Sequence, residues 1–211
     1  MEDCAQSFGA HWKGRMTGTF GAFGTFSFFP TKNLSAVGDA GLLTTPDADL
    51  LARATMLRMH GSRRKYHNEA FGYNSRLDEL QAALLRVKLP QVAAWNADRT
   101  ATAERYGRQL ADLPGLVPPS LCEGHAWHQY TVRIPGRRAE IQLGLAEAGI
   151  GSMVYYPVPC HRLPVYAEAF AEVRCPEAEK AAAEVLSLPL WPGMDPAIAD
   201  RVCEVLRSLL G

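Results

Sequence analysis

An α/β protein is predicted by three features of the chain. Short aromatic or β-branched runs closed by glycine and proline read as strands. Longer stretches with apolar residues at helical spacing read as helices, and after Pro118-Pro119 the two kinds alternate. The 211 residues are 47% hydrophobic and 21% charged, enough material for a proper core. Twenty-two basic side chains balance 22 acidic ones, so no net field favours nucleic acid or an anionic membrane. Arg63-Arg64-Lys65, the strongest basic cluster, reads as a solvated turn.

In chain order, "AFGTFSFF" (22–29) is an aromatic strand ended by Pro30, and "GDAGLLTT" (38–45) a second strand closed by Pro46. Asp47 suits the N-cap of a helix running to about Met59, with Gly61 as its stop. Ser75 and Asp78 resemble a capping pair. Leu77, Leu80, Leu84 and Val87 then follow at helical spacing, which predicts one buried stripe. Pro90 must end or kink that helix. Another helix is expected from about Val92 to Leu113, terminated by Pro114-Gly115. Beyond it, "HQYTVRI" (128–134) is a strand, 139–148 a helix closed by Gly149, and "SMVYY" (152–156) a strand. The last helix carries Ile198, Val202, Val205 and Leu209 on one face. The opening, "MEDCAQSFGA", reads as the end of a buried strand with nothing before it to pair with, so a preceding segment is expected.

Cys4, Cys122, Cys160, Cys175 and Cys203 are widely spaced, with no C-x-x-C pair. That pattern argues against a disulfide framework or zinc knuckle and suits a reducing compartment. Met-Glu-Asp-Cys lacks the features of a signal peptide, and no apolar run is long enough to span a bilayer. A soluble, cytoplasmic protein is expected.

Chemistry is sought first at Lys32, between an aromatic strand and a glycine-rich segment. To act on an aldehyde its amine needs a fixed position and an electron sink beyond the new bond. Asp3 lies at the end of a strand, Gln6 three residues on, Ser27 five residues before Lys32, and Asn74 in a Gly-Tyr-Asn turn before a helix N-terminus, where anions are bound. Each has a plain structural alternative: a turn carboxylate, a surface amide, a strand hydroxyl, a helix-entry turn. His125 and His128 have no metal-ligand spacing and read as structural, and no metal site is expected.

Taken together, "EDCAQSFGA", "FSFFPTKNLSAVGDAG", "LRMHGSRRKYHNEAFGYNSRLDELQAALLRVKL", "YYPVPCHRLPVY" and "VLSLPLWPGM" resemble the DegT/StrS family of pyridoxal-phosphate-dependent sugar aminotransferases. The resemblance implies a fold type I, aspartate aminotransferase-like architecture. Residues 1–95 would be the C-terminal part of the cofactor-binding large domain with the start of the connecting helices, and 96–211 a small α/β domain. It implies that Lys32 is the attachment point of pyridoxal 5′-phosphate and the acid–base catalyst, that Asp3 pairs with the pyridine nitrogen, that Gln6 bonds the ring's phenolic oxygen, and that Ser27 binds the phosphate. Asn74 would reach the phosphate of a neighbouring subunit's cofactor, so a homodimer with shared sites is implied. His161 and Tyr156 would lie near the sugar. The substrates implied are glutamate and a nucleotide-linked keto-sugar in polysaccharide or glycoconjugate synthesis, with neither nucleic acid nor membrane as partner. Lys32 disfavours the family's dehydratase branch, which has histidine there.

Family members carry most of the large domain's sheet ahead of the Glu-Asp-Cys-Ala-Gln strand, including a phosphate-gripping loop and an aromatic residue stacked on the pyridine. The resemblance is therefore to the C-terminal portion of such an enzyme. The isolated chain is expected to hold the cofactor weakly or not at all and to expose apolar surface. The competing expectation is an inactive remnant serving as a binding or regulatory module, since some members were first described as regulators.

Overall fold

The computed structural model describes residues 1–211. The chain forms two compact units, Met1–Ala97 with Glu123–His128, and Asp98–Cys122 with Gln129–Gly211. The segment Glu123–His128, assigned from sequence to the second domain, clusters with the first. Its Gly124 carbonyl accepts from His11 N (2.9 Å) and its Ala126 carbonyl from the Asn33 side chain (2.7 Å).

The first unit opens with β1 (Glu2–Asp3), β2 (His11–Trp12), β3 (Arg15–Met16), β4 (Gly24–Ser27) and β5 (Gly41–Thr44). β1, β4 and β5 form one sheet in that order, β1 parallel and β5 antiparallel to β4. β2 and β3 form a hairpin turning at Lys13-Gly14. The Glu2 carboxylate accepts from the backbone N–H of Gly18, Phe20 and Gly21 at 2.7–2.8 Å and pins the loop that brings the chain back to β4. These bonds, the one from Gly21 first, hold the carboxyl below its usual pKa. Behind the sheet, Phe8 meets Phe26 and Phe28 edge-on at 5.5 and 5.6 Å, beside a core of Phe28, Leu34, Ala36, Leu85 and Val92.

α1 (Ala48–Arg58) starts as expected at Asp47, whose carboxylate accepts from Asp49 N and Leu50 N. A short hairpin, β6 (Ser62–Arg64) and β7 (His67–Asn68), follows. α2 spans Glu79–Lys88 and differs from expectation in two respects. Ser75 does not cap it: the N-cap is Asp78, and no side-chain cap bond forms. The inward residue is Leu85, while Leu80 and Val87 are 74% and 76% exposed. Of the predicted stripe, Leu77 packs against the core and Leu84 is half-buried, so spacing alone misplaced Leu80 and Val87 and missed Leu85. Pro90 converts residues 89–91 to a 3₁₀ turn before α3 (Val92–Leu110).

The second unit contains most of α3, then β8 (Tyr130–Arg133), α4 (Arg138–Glu147), α5 (Pro176–Glu184), β9 (Val185–Leu188) and α6 (Pro196–Leu210). β8 and β9 pair antiparallel, and single bridges at Val117–Arg133 and Met153–Ser187 add one lane on each side. "SMVYY" is thus not a strand; only Met153 bridges, and the partner of β8 is "VLSL", too short and too buried to show alternation. On α6 the buried residues are Ala199, Val202, Cys203 and Leu206, while Ile198 is exposed. They pack with Tyr106, Tyr130, Ile141 and Leu186, all fully buried. No helix is long and apolar enough to cross a membrane.

Asp200 on α6 accepts two 2.6 Å bonds from Arg105 and one of 2.6 Å from Gln109. These bonds, those from Arg105 foremost, lower its pKa to about 2 from an ordinary 3.8. Its contribution to stability is complete above pH 3.8 and lost as pH falls towards 2. Urea unfolding between pH 5 and 2 is expected to show this loss in the parent and not in Asp200→Asn. In the same assay at neutral pH, Leu206→Ala is expected to cost roughly 2–5 kcal/mol.

Candidate active site

β4 leaves the sheet at Ser27, whose Oγ accepts from Phe29 N (3.2 Å). The chain turns with Lys32 N donating to the Phe29 carbonyl (2.8 Å) and returns where Ala36 N donates to the Phe28 carbonyl (2.8 Å). Phe28, Leu34 and Ala36 are buried and act as apolar anchors on either side of the turn. Lys32 is half-buried between them. With Ser27, Asp39, Arg58, Asn74 and Arg76 it lines a groove of about 970 Å³.

Asp3 pairs with Thr25 in the parallel β1–β4 register. Side chains alternate along a strand, so Asp3, Thr25 and Ser27 belong to one face of the sheet. The exposed Asp3 carboxylate accepts from Ala5 N (3.0 Å), and Gln6 is exposed in the turn that follows. Asp3 and Gln6 lie outside the groove's lining.

Asn74 is bridged to Met59 at the C-terminal end of α1. Two glycines make this crossing possible: a Cβ on Gly61 would overlap the Ala70 carbonyl, and one on Gly72 the Gly61 nitrogen. Gly61 also takes φ +75°, which favours glycine. The Asn74 side-chain oxygen accepts from Arg76 Nε (3.2 Å).

His161 and Tyr156 belong to the second unit. The His161 side chain is 10% exposed, with Nε2 2.8 Å from Glu179 Oε1. Arg162 and the Cys175 N–H donate to the same oxygen at 3.3 and 3.4 Å. Hydrogen bonding from His161 first, then from Cys175 and Arg162, keeps the Glu179 carboxyl below its usual pKa against the opposing effect of desolvation. The side-chain partner of His161 is thus a carboxylate. Tyr156 is 64% exposed.

Residues 1–207 match the DegT/DnrJ/EryC1/StrS aminotransferase family. The chain belongs to that family. It is 42% identical to the UDP-N-acetyl-3-dehydro-alpha-D-glucosamine 3-aminotransferase of Acidithiobacillus ferrooxidans, over all of this chain and 57% of that protein. It is 48% identical to a pleiotropic regulatory protein of Geobacillus stearothermophilus, over 98% of this chain and 58% of the other. Among solved structures it superposes on S. venezuelae DesV, captured with a ketimine intermediate, at a TM-score of 0.90 and 42% identity. That match covers 97% of this chain and 56% of DesV. The chain thus has the fold type I architecture of the family and spans little more than half the length of the relatives it matches.

Beyond the candidates inferred from the family resemblance, the groove holds two guanidinium groups, Arg58 and Arg76, that the sequence did not single out. A signal for Arg76 existed in Asn-Ser-Arg, which sets the cation two residues past the Asn74 amide. Arg58 sits in the last turn of α1 and carried none. His125 accepts from Trp127 N (2.8 Å), and its ring lies 4.1 Å from the indole; burial lowers its pKa. No group of three or more metal-ligating side chains occurs. Because its new methyl meets backbone, Gly72→Ala is expected to destabilise the first unit by about 2 kcal/mol or more. It should also shift the amide resonances of Met59 and Asn74, whereas Gly136→Ala, in open space, should leave them unmoved.

Proposed function

We propose that this chain carries the lysine half of a pyridoxal-phosphate-dependent aminotransferase that moves an amino group, from glutamate, onto a keto group of a nucleotide-linked sugar for polysaccharide or glycoconjugate synthesis in the cytoplasm. The reading is supported above all by the convergence of Ser27, Lys32 and Arg76 on one groove beside the sheet face that bears Asp3. The residues fit the cofactor: an amine for its aldehyde, hydroxyl and guanidinium donors for a phosphate, and a carboxylate for a pyridinium. Bound pyridoxal phosphate supplies an electron sink that acidifies the donor's α-proton.

Lys32 then holds the cofactor and, once released, carries the proton between the donor's α-carbon and the cofactor's C4′. Asp3 keeps the ring nitrogen protonated, Gln6 orients the ring through its phenolic oxygen, and Ser27 holds the phosphate. Asn74 serves the cofactor phosphate of a partner subunit in a homodimer. His161, its Nε2 engaged by Glu179, offers its remaining ring nitrogen to the sugar, and Tyr156 its hydroxyl. A second reading, an inactive regulatory module, is favoured by the name of the Geobacillus relative.

Incubation of the full-length protein with pyridoxal phosphate, glutamate and a panel of nucleotide-linked keto-sugars separates the two readings. Conversion of one keto-sugar to its amino product with release of 2-oxoglutarate is expected, and Lys32→Ala should lower the rate on the order of 10⁴-fold or more. Conversion that survives Lys32→Ala would overturn the assignment of Lys32; no conversion of any sugar would favour the regulatory module.

A further inference from the structure

Asn33, the neighbour of Lys32, is 8% exposed, and its carboxamide is engaged on both ends. Nδ2 donates to the Ala126 carbonyl at 2.7 Å and to Asn96 Oδ1 at 2.9 Å. Asn96 in turn donates through Nδ2 to the Phe8 carbonyl at 3.1 Å. On the other side, Asn33 Oδ1 lies 3.2 Å from His128 Nδ1. Backbone carbonyls only accept, so both amide orientations are fixed by the carbonyls at the ends of the chain of bonds. Asn33 Oδ1 is then the atom facing His128, and Nδ1 must carry the hydrogen. Gly9 belongs to the same arrangement: a Cβ there would come within 2.7 Å of Asn96 Nδ2.

We infer that Asn33 is a positioning residue, and that the clamp Asn96–Asn33–His128 fixes the peptide beside Lys32 and thereby aims its amine. The inference rests on the reading of Lys32 as the cofactor lysine. Three stretches of chain are tied to Asn33: the start of α3 at Asn96, the turn at Phe8-Gly9 through Asn96, and the segment holding Ala126 and His128. The lysine loop is therefore tied to the body of the first unit by a polar contact as well as by Phe28, Leu34 and Ala36. The apolar anchors restrain the depth of the loop. Directional bonds to a carboxamide with both ends engaged also restrain its rotation, which decides where the next residue's side chain points. His128→Asn tests the direction of the bond, because asparagine Nδ2 is as many bonds from Cα as histidine Nδ1 and is always a donor.

Two measurements test this. In the unmodified 211-residue chain, ¹⁵N–¹H correlation of the imidazoles at about pH 8.5, two units above the ordinary histidine pKa, reports the tautomer. His128 is expected as the Nδ1–H form, although neutral imidazole in water prefers Nε2–H; an unprotonated Nδ1 overturns the clamp whatever the variants do. In the second, the full-length protein is treated with pyridoxal 5′-phosphate and borohydride, and peptide mass spectrometry compares label at Lys32 with label at Lys13, Lys65, Lys88 and Lys180 in the same molecules.

The unmodified chain and His128→Asn are expected to favour Lys32. Asn33→Ala and His128→Leu should lose about tenfold of that preference while circular dichroism stays unchanged, as a displaced reactive group would. Preference retained within twofold in a folded Asn33→Ala overturns the inference and leaves the reading of Lys32 standing. A protonated Nδ1 with no preference for Lys32 in the unmodified chain overturns that reading and leaves the clamp. Should Asn33→Ala fail to fold, the tautomer and the His128→Asn, His128→Leu pair decide.

Discussion

The first unit depends on how the chain is held as it leaves β4. Phe28 and Leu34 are driven inward by burial, with Ala36 beside them, and the residues between must then bulge towards the groove. Lys32 stands in that bulge because two apolar anchors on either side leave it nowhere else to go. The same anchors carry the backbone bonds that close the turn, Phe28 N to the Ala40 carbonyl and Ala36 N to the Phe28 carbonyl. Burial and hydrogen bonding thus specify one path, and the groove lining follows from it.

Legibility from sequence tracked how local each interaction is. Asp47 capping α1, Pro90 breaking a helix, Gly61 and the glycine-bearing turns are decided within a few residues, and the chain announces them. α2 and α6 were recognised as helices, and Val202 was rightly placed inward on α6, but Ile198, Leu80 and Val87 were not, because the face that buries Leu85 rather than Leu80 is chosen by distant neighbours. β9 was missed for a related reason. A four-residue strand with three buried positions shows no alternation, and only its pairing with β8 identifies it. At the site, the candidate residues rested on motif resemblance. Asn33 and Asn96 were invisible, since 63 residues separate two amides whose bond is made only by the fold.

Exposed apolar side chains run along the stretch where recognition by motif was strongest. Phe71 and Tyr73 flank Gly72 in the Phe-Gly-Tyr-Asn stretch, and Leu80 and Val87 continue on α2. Large apolar side chains exposed along the same stretch as Asn74 are a surface made to be covered, since water contact is the most costly environment for such groups. This accords with the proposed role of Asn74 towards a partner subunit. It also explains why the α2 pattern misled: both faces of that helix are apolar, and only one of them meets the core of its own unit.

A regulatory remnant and a working catalyst would make different demands on the lysine loop. A loop that only has to be closed can be closed by apolar packing, which costs no desolvation. Burying the Asn33 carboxamide, with the half-buried Asn96 and His128 beside it, is unfavourable unless its donors meet acceptors, and removing one partner leaves the others uncompensated. The gain from such an arrangement is directional, because hydrogen bonds fix an angle where apolar contacts fix only a distance. Angular control of the residue beside Lys32 serves no purpose for a surface that merely binds. It is what an amine needs if it must meet one carbon of a bound molecule, the role proposed for Lys32.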